Sequence, residues 1–180
     1  MVIKGYKAFN KDKTNRYGSP FEEGCTYTYN VDEKVKFGNF GVGFHFCTEL
    51  ADVFRYFPND DDDVLVAKVT GTGKYEKYDD EYYGYYDMYV VSSITIDRFL
   101  TREEIINHIL NDSEFNVKKF LATFRLNEKE KLLFLKKFVN NYDICRFILY
   151  FQFGFKSVFE KNIDSYEISR RLLKNGQDNN

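Results

Sequence analysis

The 180 residues carry a formal net charge of −2 and a pI near 5.8, which excludes a globally basic nucleic-acid binder. An apolar share of 43% is enough for a real core, and the length suits one domain, or one domain with a helical appendage. No apolar run approaches the length of a membrane span and Met1-Val2-Ile3-Lys4 is not a secretory signal, so the expectation is an intracellular protein without membrane attachment.

Val2 to Phe9 alternates Val2, Lys4, Tyr6, Ala8 against Ile3, Gly5, Lys7, Phe9, the pattern of a strand with one face in the core. Asn10 to Glu23 is polar and holds the turn signal Gly18-Ser19-Pro20. Cys25 to Tyr29 reads as a short strand, and Asn30 to Gly41 as a surface loop. The stretch from Gly41 to Gly71 organises the rest. Gly41-Val42-Gly43 permits close backbone approach, and Phe44-His45-Phe46-Cys47 follows as a short strand. Thr48 stands at an N-cap position before a helix over Glu49 to Phe57. Pro58 stops that helix, Asn59 to Asp63 is an acidic loop, and Val64 to Val69 is a buried strand. Lys74 to Asp87, rich in Tyr and acid, reads as a loop or lid whose tyrosines suit a ligand or a partner. Met88 to Phe99 is dominated by β-branched residues and reads as one long strand.

At Thr101 the apolar period changes from two to about 3.6. Thr101-Arg102-Glu103-Glu104 is a capping box. Asp112 or Ser113 caps a second helix through Phe124. Asn127 or Glu128 opens a third, with Leu132, Leu133, Leu135 and Phe138 inward. Tyr142 to Phe153 is a fourth, broken by Gly154, and a last helix covers roughly Ser165 to Lys174. Glu104 to Leu110, Asp143 to Leu149 and Glu167 to Leu173 look alike, but at unequal spacing. An irregular helical bundle is therefore expected rather than a repeat array. The expected division is residues 1–100 and 101–180.

Cys25, Cys47 and Cys145 lack CxxC spacing and read as unpaired residues of a reducing compartment. Asp60 to Asp63 lacks the spacing and the glycine of a calcium loop, so no metal site is expected. There is no P-loop and no Rossmann fingerprint. Of the two histidines, His108 sits on a helix edge and His45 on the strand after Gly43.

The run of Gly43, His45, Phe46, Tyr56 and the buried strand to Gly71 resembles the nicotinamide-pocket segment of ADP-ribosyltransferases of the poly(ADP-ribose) polymerase and diphtheria-toxin type. That resemblance implies an α+β chain, with a split-sheet transferase-like domain followed by the helical bundle. It implies NAD as the possible cofactor, His45 and Tyr56 as the aromatic pair around the ring, and Gly43 beside them. Tyr6 and Lys7 occupy the first-strand positions where the family has a His-Gly or Arg pair. Asp87 stands near the family's catalytic glutamate, which stabilises the oxocarbenium-like transition state. A cleft faced by His45 and Tyr56, with Lys7 and Asp87 at its rim, is the expectation. Lys4-Gly5-Tyr6-Lys7-Ala8-Phe9 and Gly43-Phe44-His45-Phe46-Cys47 are also similar to elements of a family of phage and giant-virus proteins. This second resemblance implies a viral protein of the host cytoplasm or the virion. It would bind a host or viral protein through the Tyr-rich loop or the C-terminal helices. Two function classes follow: a binding module with an altered NAD pocket, or an active ADP-ribosyltransferase or NAD glycohydrolase.

Overall fold

The computed structural model describes residues 1–29, 35, 42–56, 64–78, 88–154, 168–172 and 174. The chain is α+β and divides into two compact units, Met1–Ile105 and Ile106–Asn180.

In the first unit β1 (Ile3–Asn10), β2 (Thr26–Thr28), β3 (Phe44–Cys47), β4 (Val64–Tyr78) and β5 (Met88–Leu100) form one antiparallel sheet. Its order is β2-β5-β3-β1-β4, and β4 also pairs with β5, so the sheet closes on itself. Closure pairs strand edges that would otherwise template association. The interior is filled by Ile3, Phe9, Phe21, Phe46, Ala67, Val69, Val91, Ile94 and Ile96. The Phe9 ring meets Phe21 at 5.2 Å and Phe99 at 5.6 Å, tilted and edge-on. Such pairs contribute about 0.5–1.5 kcal/mol each beyond the area they bury.

Phe46 enters this interior where two strands carry glycine. A Cβ on Gly71 would stand 2.7 Å from Phe46 Cε1, and one on Gly5 2.6 Å from Phe46 Cδ2. The Gly5 position is also closed by the Cys47 carbonyl oxygen. Alternation then turns His45 and Cys47 to the other face of β3. There the helix α1 (Leu50–Tyr56) packs on β1 and β3 and buries Leu50, Ala51, Val53 and Phe54.

The hairpin departs from expectation. Lys74 to Tyr78, expected as loop, continues β4, with Tyr75 opposite Val91 and Tyr78 opposite Met88. The run lacks apolar alternation because it is solvated, with Tyr75 49% exposed, while backbone pairing to β5 holds it as strand. Asp60 to Asp63 and residues 79–87 lie outside the described residues.

The capping box at Thr101 forms as the sequence indicates. Thr101 N–H donates to Glu104 Oε2 at 2.9 Å and Glu104 N–H to Thr101 Oγ1 at 3.2 Å, opening α2 (Arg102–Leu110). The division between the units falls inside this helix. In the second unit Ser113 caps α3 (Glu114–Thr123) and Asn127 caps α4 (Glu128–Phe138) in a full capping box. Asn141 caps α5 (Tyr142–Phe147), which passes into a π-helical turn over Ile148–Gln152. Phe134, not Leu133, faces inward on α4: Phe134 is fully buried and Leu133 is 43% exposed. Phe134 lies 6.2 Å from Phe120 of α3, ring to ring, and that stacking selects the helix face. Of the last expected helix, residues 168–172 are helical. Gln152 satisfies three backbone groups. Its Nε2 donates to Leu121 O at 2.6 Å and Phe124 O at 2.8 Å, and its Oε1 accepts from Leu126 N–H at 3.0 Å.

Gly71→Ala is expected to lower stability by about 1–3 kcal/mol through overpacking against Phe46. Adding Phe46→Leu should recover part of the loss, since the two positions touch. Denaturant midpoints at constant slope measure both, and additive losses would contradict the contact. Gln152→Leu leaves two carbonyls and one N–H without these bonds and is expected to cost about 1–3 kcal/mol. An unchanged melting temperature would count against that role.

Candidate functional site

β1 pairs with β4 at every position from Ile3 to Asn10, but with β3 only at Tyr6 opposite Cys47. Where β1 and β3 part, an open cleft of about 100 Å³ remains. It is lined by Tyr6, Lys7 and Ala8 of β1, by His45, Phe46 and Cys47 of β3, by Val53 of α1 and by Met88 of β5. A space of that size holds a few waters or one small ring, not a whole dinucleotide.

Lys7 is the charged member. It shares a face of β1 with Ile3, Gly5 and Phe9, and Ala67 of β4 stands opposite it. Its Nζ donates to the His45 carbonyl oxygen at 2.7 Å and lies 5.7 Å from the centre of the Phe9 ring. The ammonium thus supplies a donor to β3 where the two strands have separated. Burial lowers Lys7 to about 8, against a smaller opposing effect of the Cys47 sulfur. His45 is lowered to about 4, first by burial and then by the Lys7 charge. Desolvation outweighs the Cys47 attraction at Lys7 and acts together with the Lys7 repulsion at His45, so at neutral pH the cleft holds one cation beside a neutral imidazole.

The structure brings Tyr6, Lys7 and His45 into one cleft, and Lys7 lines it rather than standing at its rim. Gly43 does not line it; a Cβ there would meet Val90 Cγ2 at 2.5 Å, so its place is against β5. Tyr56 ends α1, and its ring lies outside the described residues, as does Asp87, the residue before Met88 in the chain. Sequence reasoning missed Cys47, Val53 and Met88. Period-two alternation from His45 puts Cys47 on the same face and was signal enough for that one. No disulfide joins Cys25, Cys47 or Cys145, and Cys47 and Cys145 are buried. Among the described residues no group of His, Cys, Asp and Glu is arranged to hold a metal, and no helix is long and apolar enough to cross a membrane.

Residues 3–108 match the model of a family described as a domain of unknown function, DUF7666. The chain belongs to this family. The matched segment starts in β1 and ends in α2, so it contains all five strands, α1 and the cleft. No curated protein matches the chain, and no solved structure matches it.

The lowered His45 has a consequence for acid stability. Between pH 6.5 and about 4 the unfolded chain takes up a proton at His45 that the folded chain refuses. The contribution of this group is therefore complete above pH 6.5 and is lost as the pH falls toward 4. His45→Gln is expected to flatten that part of the stability profile in denaturant titrations. An unchanged slope would show that His45 titrates normally in the folded chain.

Proposed function

We propose that the chain is an intracellular binding module with an ADP-ribosyltransferase-like fold and an altered nicotinamide pocket. The cleft between β1 and β3 takes one small flat group. The observation that carries this is the meeting of Tyr6 and Lys7 with His45 in one cleft: the β3 segment resembles the transferase pocket, and β1 supplies its first-strand positions with Tyr6 and Lys7 in place of the family's His-Gly or Arg pair. The lining supports binding over chemistry. It offers an ammonium, a neutral imidazole, a phenol and a thiol, and no carboxylate among the described residues. The residues fit a ring of nicotinamide size. Among the described residues the lining shows no cradle for the remainder of NAD.

A second reading, an active ADP-ribosyltransferase or NAD glycohydrolase, draws on Met88. This residue lines the cleft and follows Asp87 in the chain. The Asp87 carboxylate would then meet the positive charge that develops on the ribose as nicotinamide leaves.

Nicotinamide and NAD, each added to the labelled full chain, separate the two. The module predicts shifts of the amide resonances of Tyr6 to Ala8 and His45 to Cys47 without release of nicotinamide from NAD. Lys7→Ala and His45→Ala should each weaken binding at least about tenfold. Turnover of NAD that Asp87→Asn abolishes would replace the module with the enzyme. Unchanged resonances with both compounds would overturn the assignment of the cleft.

A further inference from the structure

The charge in the cleft is unbalanced by its surroundings. Of the three ammonium protons of Lys7, one goes to His45 O at 2.7 Å. The face of Phe9 is close to the ammonium, and the Cys47 sulfur acts on it electrostatically, a smaller effect than its desolvation. The elements packed around it supply no carboxylate to the lining among the described residues. β3 gives His45 and Cys47, α1 gives Val53, β5 gives Met88, and β1 itself gives Tyr6. β4 opposes Lys7 with Ala67 and places Lys68 opposite Tyr6. Asp52 of α1 is buried, but it neither lines the cleft nor figures among the influences on Lys7. A cation removed from water without an anion is costly, and an anionic ligand seated beside it would complete the pair.

We propose that the cleft is a site for a small carboxylate, preferably on a flat ring, paired with the Lys7 ammonium and flanked by His45 and Tyr6. This rests on the assignment of the cleft as a ligand site and adds the class of ligand it selects. A carboxylate accepts hydrogen bonds only, so it takes the ammonium protons not given to His45 O. The bond formed is charge-assisted and lies in a partly desolvated site, where it is stronger than its counterpart in water. Phe46, Val53 and Met88 supply the apolar walls for the ring. A neutral amide of the same shape brings donors of its own to an ammonium that has only donors, so one of its two polar ends is wasted.

The pH dependence follows from Lys7. The free amine loses its proton near pH 8. A bound carboxylate favours the charged amine and raises that value, so binding takes up a proton around pH 8 to 9 and weakens as the pH rises further. His45, already neutral, contributes no proton change near neutral pH.

Benzoate and benzamide form the matched pair for the test, equal in shape and different in charge. Calorimetric titration of the full chain at pH 7 should show benzoate binding at least about tenfold tighter. The preference should shrink by pH 9.5 or so, as Lys7 becomes neutral. Two buffers of different ionisation enthalpy should reveal proton uptake with benzoate at about pH 8.5 and none with benzamide. Lys7→Met should abolish the preference, and the pH series on the unaltered chain stands whether or not that variant folds. Benzamide binding as well as benzoate at every pH would overturn the carboxylate selectivity and leave the cleft a ring site. If neither binds at millimolar concentration, both the selectivity and the ligand site are overturned.

Discussion

The ring of Phe46, lodged between Gly5 and Gly71, is the constraint on which the first unit depends. Neither position has room for a Cβ, and Gly5 is also closed by the backbone of β3. Dense packing makes such contacts intolerant of one added methyl. The three strands that meet at this ring are β1, β3 and β4, and β4 also closes the sheet on β5. With Phe46 committed inward, the strand period commits His45 and Cys47 outward, under α1. His45 and Cys47 are thus oriented by an apolar contact on the other side of their own strand.

The parting of β1 from β3 has its own electrostatic cost. The His45 carbonyl takes a lysine ammonium as donor, and the half-buried setting of that side chain lowers the amine's pKa. Desolvation is the larger effect on both Lys7 and His45, and the Lys7 charge pushes the imidazole the same way. One positive charge is therefore what the cleft sustains at neutral pH. An apolar residue would carry no such penalty, but it would leave the His45 carbonyl without this donor. Titratable groups displaced in this manner, gathered in a cleft, are what functional sites are built from.

Much of this was legible because local signals agreed with the fold. The alternation of Ile3, Gly5, Lys7 and Phe9 placed β1, and the β-branched run from Met88 placed β5. Hydroxyl and amide caps at Thr101, Ser113 and Asn127 marked three helix starts. The same alternation set Lys7 on the apolar face, which is the sequence trace of its burial. The β4 extension over Lys74 to Tyr78 was not legible, since a solvated strand paired through its backbone leaves no apolar pattern. Leu133 and Phe134 compete for one helix face, and the choice is made by Phe120, which lies on another helix. Val53 reaches the cleft because α1 packs back on β1 and β3, and Met88 because β5 pairs with β3 and sets it opposite Cys47, a pairing no local signal marks.

The state of the Lys7 amine tests the account most directly. Lysine side chains labelled at Cε report each amine in a pH titration by nuclear magnetic resonance. Lys7 is expected to titrate near 8, apart from the exposed lysines, because its ammonium is desolvated beside His45. A Lys7 that titrates at its ordinary value of 10.5 would place the ammonium in water and contradict the charged, ligand-seeking cleft.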